Sequence, residues 1–219
     1  MSIIRKMNFR SCIDVGCGYG YMIQPLLAEG KIVSACDLSP LLIERNKKMF
    51  PGVHFETLDI SSGSYSGGAR FDMVICGDVL ESAKNWRQAF DNLCAMSRRY
   101  VLITVPSGKM HKFLEARGHL RNFRKEDFEG PLRENDMKLL FSRYWGFPVH
   151  TLYLTMGNIL GFANVSKKFL KKYGVFQKWV SAILYMLSFL NYPFDVGEIL
   201  VLLAEKKSIR FPAALEKEI

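Results

Sequence analysis

The sequence predicts a doubly wound α/β fold, a parallel sheet with helices on both faces, and three observations carry that expectation. Short apolar runs of strand length alternate with stretches of helical period. The first run, Ser11–Val15, passes straight into Gly16-Cys17-Gly18-Tyr19-Gly20, a glycine-rich turn of the kind that joins a strand to a helix at a ligand site. The second run ends in an acid, Asp37, 17 residues beyond Gly20. In a βαβ unit such an acid is placed to accept both hydroxyls of an adenosine ribose.

Glycine is needed where the backbone takes positive φ or approaches a ligand more closely than a Cβ permits. The spacing here is Asp14-x-Gly16-x-Gly18-x-Gly20. A dinucleotide fingerprint ends instead in Gly-x-x-Gly, with a helix N-terminus aimed at a pyrophosphate. The acid ahead of the first glycine would repel a phosphate but suits an amino group, so the turn favours an amino-acid-bearing nucleoside over NAD. Tyr19–Ala28 reads as the helix that follows, with Pro25 as an irregularity that kinks or shortens it. Lys31–Cys36 reads as the second strand and Pro40–Met49 as the second helix, with Ser39 as N-cap ahead of Pro40.

At Asp14–Gly20 and Asp37 the chain resembles the class I S-adenosylmethionine-dependent methyltransferases, and the likeness continues beyond them. Val53–Ile60 is similar to that family's third strand, ending near Asp59, the acid that in the family faces the adenine amino group. Phe71–Glu81 is similar to the fourth strand and the turn after it, and Arg99–Pro106 to the fifth. The resemblance is dense from residue 11 to 106, partial from Gly118 to Pro148, and weak afterwards except for a last strand at Ile199–Ala204. It implies a Rossmann-like, mostly parallel seven-stranded sheet and S-adenosyl-L-methionine as cofactor. It also implies cofactor-binding positions at Asp14, Gly16, Cys17, Gly18, Gly20, Asp37, Leu38, Asp59, Ile60, Cys76 and Asp78. Asp14, Asp37, Asp59 and Asp78 would then share the carboxyl edge of the sheet, where such folds bind ligands.

Further along, Asn85–Met96 carries Trp86, Ala89, Phe90, Leu93 and Met96 at helical spacing, an apolar stripe for packing on the sheet. The family's last two strands form an antiparallel pair, which here falls at about Met137–Tyr144 and Ile199–Ala204. The long stretch between them must be functional or carry its own structure. Thr151–Leu160 and Phe169–Leu190 are apolar enough for helices, so 145–197 reads as a helical cap inserted before the last strand. Only ten residues precede Ser11, too few for a covering helix ahead of the first strand. Closure of the site is therefore expected from an acceptor lid at 107–135 and from the cap, within a single domain, 1–219, whose cofactor-binding core is 11–106.

Methyl transfer from an activated sulfonium depends largely on alignment, and a base is needed only if the acceptor is a hydroxyl or an ammonium. The catalytic candidates are His119, Glu81 and Asp78, with His111 a weaker one. In the resembling enzymes that methylate quinones and sugars, an acid after strand four is followed by Glu-His; here Glu81 is followed by Ser82. That removes one base and leaves two carboxylates, an incomplete metal set, so no metal is expected. His119 lies in Gly118-His119-Leu120-Arg121, similar to a Gly-His-x-Arg that precedes the acceptor-pocket helix in related enzymes. Its imidazole suits proton transfer near neutrality; the other reading is a hydrogen-bonding histidine that fixes the lid. Tyr19 is placed to line the transfer channel or to pack over the cofactor.

A chain of 219 residues, 49% hydrophobic and 23% charged, is ordinary for one globular domain with a substantial core. Of five cysteines, Cys12, Cys36 and Cys76 fall in or at the ends of apolar strands, as reduced cysteines do. The N-terminus lacks the apolar core of a signal peptide, which points to the cytoplasm. The net charge of +9 gathers partly in Lys167, Lys168, Lys171, Lys172 and Lys178, which lead into the uncharged Trp179–Leu190. That run is shorter than the roughly 20 residues a spanning helix needs. The segment 167–190 therefore reads as a buried cap helix or as a peripheral membrane contact, its lysines drawing an acidic acceptor or anionic lipid. A nucleic-acid partner is disfavoured by the lack of an RNA-binding module and of interleaved aromatic and basic residues. The expected function is O- or N-methylation of a small or lipid- or carrier-linked metabolite. The alternatives are an RNA methyltransferase and a non-catalytic nucleotide-binding protein.

Overall fold

The computed structural model describes residues 2–63, 65, 69–160, 179, 182, 186–187, 189–191 and 194–207. Five strands run parallel: β1 (Ser11–Val15), β2 (Ile32–Asp37), β3 (His54–Thr57), β4 (Phe71–Gly77) and β5 (Ser97–Pro106). The hairpin of β6 (Met137–Trp145) and β7 (Ile199–Lys206) closes the sheet, β7 lying antiparallel between β5 and β6. The order β3-β2-β1-β4-β5-β7-β6 reverses direction beside β1. At that switch point the loops after β1 and β4 diverge to opposite faces and leave a crevice at the carboxyl edge.

Strands covered on both faces must be apolar on both, and the central strands send alternate residues to two separate cores. In β4, Met73 and Ile75 face one core while Val74 and Cys76 face the other; in β5, Tyr100 and Leu102 oppose Val101 and Ile103. The second core is covered by α2 (Ile23–Ala28) and α3 (Pro40–Met49) through Ile23, Leu26 and Ile43. α1 (Ser2–Arg5) and the chain after it add Ile4 and Phe9 there, so the N-terminal segment packs under the sheet rather than over its edge. The first core is covered by α4 (Trp86–Met96), whose Ala89, Phe90, Leu93 and Met96 are buried as the stripe requires. All five cysteines are buried free thiols.

The expected helix from Tyr19 begins only at Ile23. A start at Tyr19 would have placed Pro25 in the helix interior, where its ring clashes with the preceding turn and its missing N–H leaves a carbonyl unpaired. Starting at Ile23 keeps Pro25 in the first turn, where neither cost arises. β3 also stops short of Ile60, because Asp59 Oδ1 accepts from Ser61 N (2.8 Å) and turns the chain away.

The segment 107–135 holds two further helices, α5 (Lys112–Glu115) and α6 (Glu129–Glu134). Much of it is fastened rather than free. Phe123 and Phe128 are buried against Trp86 at ring separations of 5.1 and 5.6 Å, and Lys125 N donates to Tyr144 Oη (3.0 Å). Only the stretch around Gly108–Arg121 stands over the carboxyl edge. In the insertion, α7 (Val149–Leu160) follows β6 and a 3-10 turn at Phe189–Asn191 precedes β7. Most of the expected cap over 167–190, with its lysine cluster, lies outside the described residues. Among the described residues no helix is long and apolar enough to cross a membrane.

Candidate active site

The glycine turn is built on β1 and pinned to β2, since Gly16 N and Cys17 N both donate to Cys36 O at 2.8 and 3.0 Å. Gly16 has φ +72°, and a Cβ there would lie 2.2 Å from Val79 Cγ2. The turn after β4 therefore packs directly on the turn after β1. Gly18, at φ +51°, faces open space, where a Cβ would meet nothing within 4 Å. Cys17 and Cys76 turn their thiols into the two cores, so each presents only its main chain to the crevice.

Asp37 does more than face outward. Its Oδ2 accepts from Gly18 N and its Oδ1 from Ser39 N, both at 2.8 Å, so the carboxylate ties the glycine turn to the start of α3. From beneath, Asn46 Nδ2 donates to Gly18 O (2.8 Å), and the Arg45 guanidinium donates to Tyr19 O (3.2 Å) while lying over the Tyr19 ring. Asn46 is fully buried. Nothing but its polarity on the apolar face of α3 would have marked it in the sequence. Leu38 is exposed beside Asp37, and Asp59 is exposed beyond β3, while Ile60 is in the core. Asp14 ends near the floor of the crevice, only 5% exposed. Burial, and then the neighbouring Asp37, push its carboxyl up to about 7.

On the other side of the crevice the turn after β4 begins at Asp78, a non-glycine residue at φ +54°, the kind of backbone strain that collects at functional sites. The turn draws Glu81 inward until it is 0% exposed, with neither carboxylate oxygen hydrogen-bonded. Burial, with Asp78 adding, pushes Glu81 up to about 7. Asp78 itself, which still reaches solvent, is raised by the protein packed around it, against the pull of His119 and Arg117. Leu120 N donates to Glu81 O (2.8 Å), which brings His119 over the buried acid, its Nε2 3.9 Å from Glu81 Oε1. That gap exceeds a hydrogen bond. Desolvation lowers the imidazole pKa, with Asp78 opposing. The three residues expected to be catalytic are thus brought together.

A second polar corner lies beside them, where β5 ends and β7 begins. Ser107 N donates to Glu198 O (2.8 Å) and Ser107 Oγ to Gly197 O (2.7 Å). Glu198 Oε2 is 3.9 Å from His111 Nε2. Asn122 Nδ2 donates to the carbonyls of Ser107 (3.1 Å) and Gly108 (3.2 Å). Glu198 was not legible as a site residue, because only the antiparallel return of β7 sets it against residues some ninety positions earlier. Among the described residues no group of three His, Cys, Asp or Glu side chains is arranged to hold a metal ion.

Residues 5–151 match the family model described as a methyltransferase domain. No curated protein matches at the sequence level. Among solved structures, the chain is similar to a TehB-like SAM-dependent methyltransferase from Corynebacterium glutamicum, with TM-score 0.59 and 20% identity over 94% of this chain and 86% of that one. It is also similar to the Synechocystis magnesium protoporphyrin IX methyltransferase with bound SAH, with TM-score 0.56 and 15% identity over 94% and 78%. A third similar structure is the Burkholderia thailandensis 1,6-didemethyltoxoflavin-N1-methyltransferase, with TM-score 0.58 and 16% identity over 94% and 74%. At these identities the likenesses establish the fold.

Proposed function

The chain belongs to the methyltransferase-domain family, and from that premise we propose that it uses S-adenosyl-L-methionine to methylate an oxygen or nitrogen of a small or carrier-linked metabolite. The observation that carries this reading is the packing of Val79 on Gly16. It sets the turn bearing Glu81 against the turn bearing the glycines, so that an acceptor and a cofactor would meet at one seam.

The residues present fit the cofactor. Gly18 leaves open the space that a side chain would fill, and Asp37, at the end of β2, would accept from the ribose hydroxyls. Asp14 is a buried carboxyl whose ionised form needs a cation beside it, as an α-ammonium group would provide. When bound, S-adenosylmethionine supplies a methyl group already activated on a sulfonium. The chain's own work is to hold the acceptor and manage its proton. An acceptor hydroxyl or amine between His119 Nε2 and Glu81 Oε1 would bridge the 3.9 Å gap. His119, kept neutral by desolvation, takes the proton, and Glu81 as carboxylate balances the imidazolium that results.

Calorimetry with S-adenosylhomocysteine, together with turnover of a labelled methyl donor over an acceptor panel, tests the reading. His119→Ala should lower turnover by about 10²-fold or more and leave cofactor affinity nearly unchanged. Equal loss of both would assign His119 to fixing the lid.

A further inference from the structure

Buried polar side-chain atoms are almost always hydrogen-bonded, so a local cluster of unpaired ones asks what they are waiting for. Glu81, His119, Asn122, Thr151, Asn191 and Glu198 carry such atoms, and all six stand beyond the carboxyl ends of β4 and β5 or in the corner where the β6–β7 connection returns. The kinds of atom are unequal. Glu81 Oε1 and Oε2, Glu198 Oε2 and Asn122 Oδ1 can only accept when the acids are ionised; Thr151 Oγ1 can do either; Asn191 Nδ2 can only donate. Asn122 is held in this orientation because its Nδ2 is already spent on two carbonyls.

The corner is also knit together by direct contacts. Glu198 Oε2 lies where a side chain on Gly108 would be, 2.7 Å from its ideal Cβ, and Asn122 binds the Gly108 carbonyl. Thr151 N donates to Gly146 O (3.0 Å), and Gly146 packs on the Glu198 backbone. Asn191 is 1% exposed and accepts from Val149 N (2.9 Å). Among the described residues no lysine or arginine nitrogen lies within 4.0 Å of Glu81 or Glu198; each carboxylate has only a histidine, at 3.9 Å.

We propose that Glu198, with Asn122 and Thr151, forms an amine-recognition subsite that holds a protonated amino group of the methyl acceptor. An ammonium brings three donors and no acceptor, which matches the surplus of accepting atoms. It also supplies a full positive charge to Glu198 Oε2, an oxygen closed off from water with the His111 imidazole 3.9 Å away. A phosphate or carboxylate would meet like charge and find more acceptors than donors, despite the chain's net charge of +9. A polyol would satisfy the hydrogen bonds but leave the charge unbalanced. The proposal rests on the methyltransferase reading and narrows its acceptor to amine-bearing small molecules.

The test uses the full chain saturated with S-adenosylhomocysteine and three matched panels of small molecules. Primary amines from ethanolamine to tyramine are compared with the alcohols ethylene glycol to tyrosol and the carboxylates glycolate to 4-hydroxyphenylacetate. Calorimetric affinity should be at least tenfold higher for amines than for their alcohols, with no binding of carboxylates. Glu198→Gln, which keeps the shape and removes the charge, should abolish that preference while leaving S-adenosylhomocysteine affinity unchanged; Thr151→Val should weaken amines several-fold. Equal binding of alcohols, binding of carboxylates, an unchanged preference in Glu198→Gln, or no amine binding to the loaded protein would each overturn the subsite. Failure of S-adenosylhomocysteine itself to bind would instead overturn the methyltransferase reading.

Discussion

Asp37 carries two duties in one carboxylate. Each oxygen already accepts one backbone N–H, from Gly18 and from Ser39, and each retains a lone pair for a ribose hydroxyl. Replacing it with Ala removes charge-assisted hydrogen bonds worth about 1.5–3 kcal/mol each. S-Adenosylhomocysteine affinity measured by calorimetry should fall by about 10–100-fold for one such bond. Unchanged affinity would remove Asp37 from the ribose site. Glu81 differs, because its carboxylate has no hydrogen bond to lose. Glu81→Gln should therefore fold at least as stably as the parent at neutral pH while turning over more slowly, a separation that unfolding midpoints and rates measured on the same samples can check.

Elements, rather than residues, decide how the glycine turn keeps its shape. α3 supports it through Asn46, and the turn after β4 leans on it through Val79. Gly16→Ala forces a Cβ into Val79 and should cost both stability and cofactor affinity. Gly18→Ala meets no atom and has only the strain of φ +51°, about 1–2 kcal/mol or a few degrees of melting temperature; it should fold yet bind S-adenosylhomocysteine poorly. If Gly18→Ala bound as well as the parent, the open space above Gly18 would not be the cofactor's. The first two strands, the N-cap at Ser39 and the stripe on α4 were legible because each depends on residues close in sequence, whereas the other five strands were legible through the family resemblance. α2 starts later than Tyr19 because Gly18 and Gly20, both at positive φ, extend the turn, and Pro25 fits only in the first helical turn. Asn46, Asn122, Thr151, Asn191 and Glu198 escaped notice for a different reason. Their meaning depends on which distant backbone each one faces, and periodicity carries no such information.

Among the described residues, the two edges of the sheet differ in what they bury. Bases collect at the edge opposite the crevice, in a groove lined by Arg70, Arg98, Arg99, Lys138, Lys206 and Lys207 with Asp72, Asp136 and Glu205 among them. The carboxyl edge instead holds the buried acids Asp14 and Glu81, whose ordinary values of 3.8 and 4.5 both rise to about 7. A carboxyl raised by folding favours the folded state only while protonated. Its contribution is complete below its unfolded value and is lost as pH climbs through the folded one, here from about pH 4 to somewhat above 7. His119 and His150 act oppositely, since burial lowers both and their contribution disappears as pH falls below about 6.5. Comparing the parent with an Asp14→Asn/Glu81→Gln double variant leaves the histidines common to both and isolates the acids. Asp14 lies in β1 and Glu81 in the turn after β4, so their effects should roughly add. The variant should match the parent near pH 4.5 and exceed it at pH 8 by about 1–3 kcal/mol per site in urea unfolding. A stability difference that stays flat from pH 4.5 to 8 would mean that both acids titrate as if exposed, and the buried charge on which cofactor and acceptor binding depend would be gone with it.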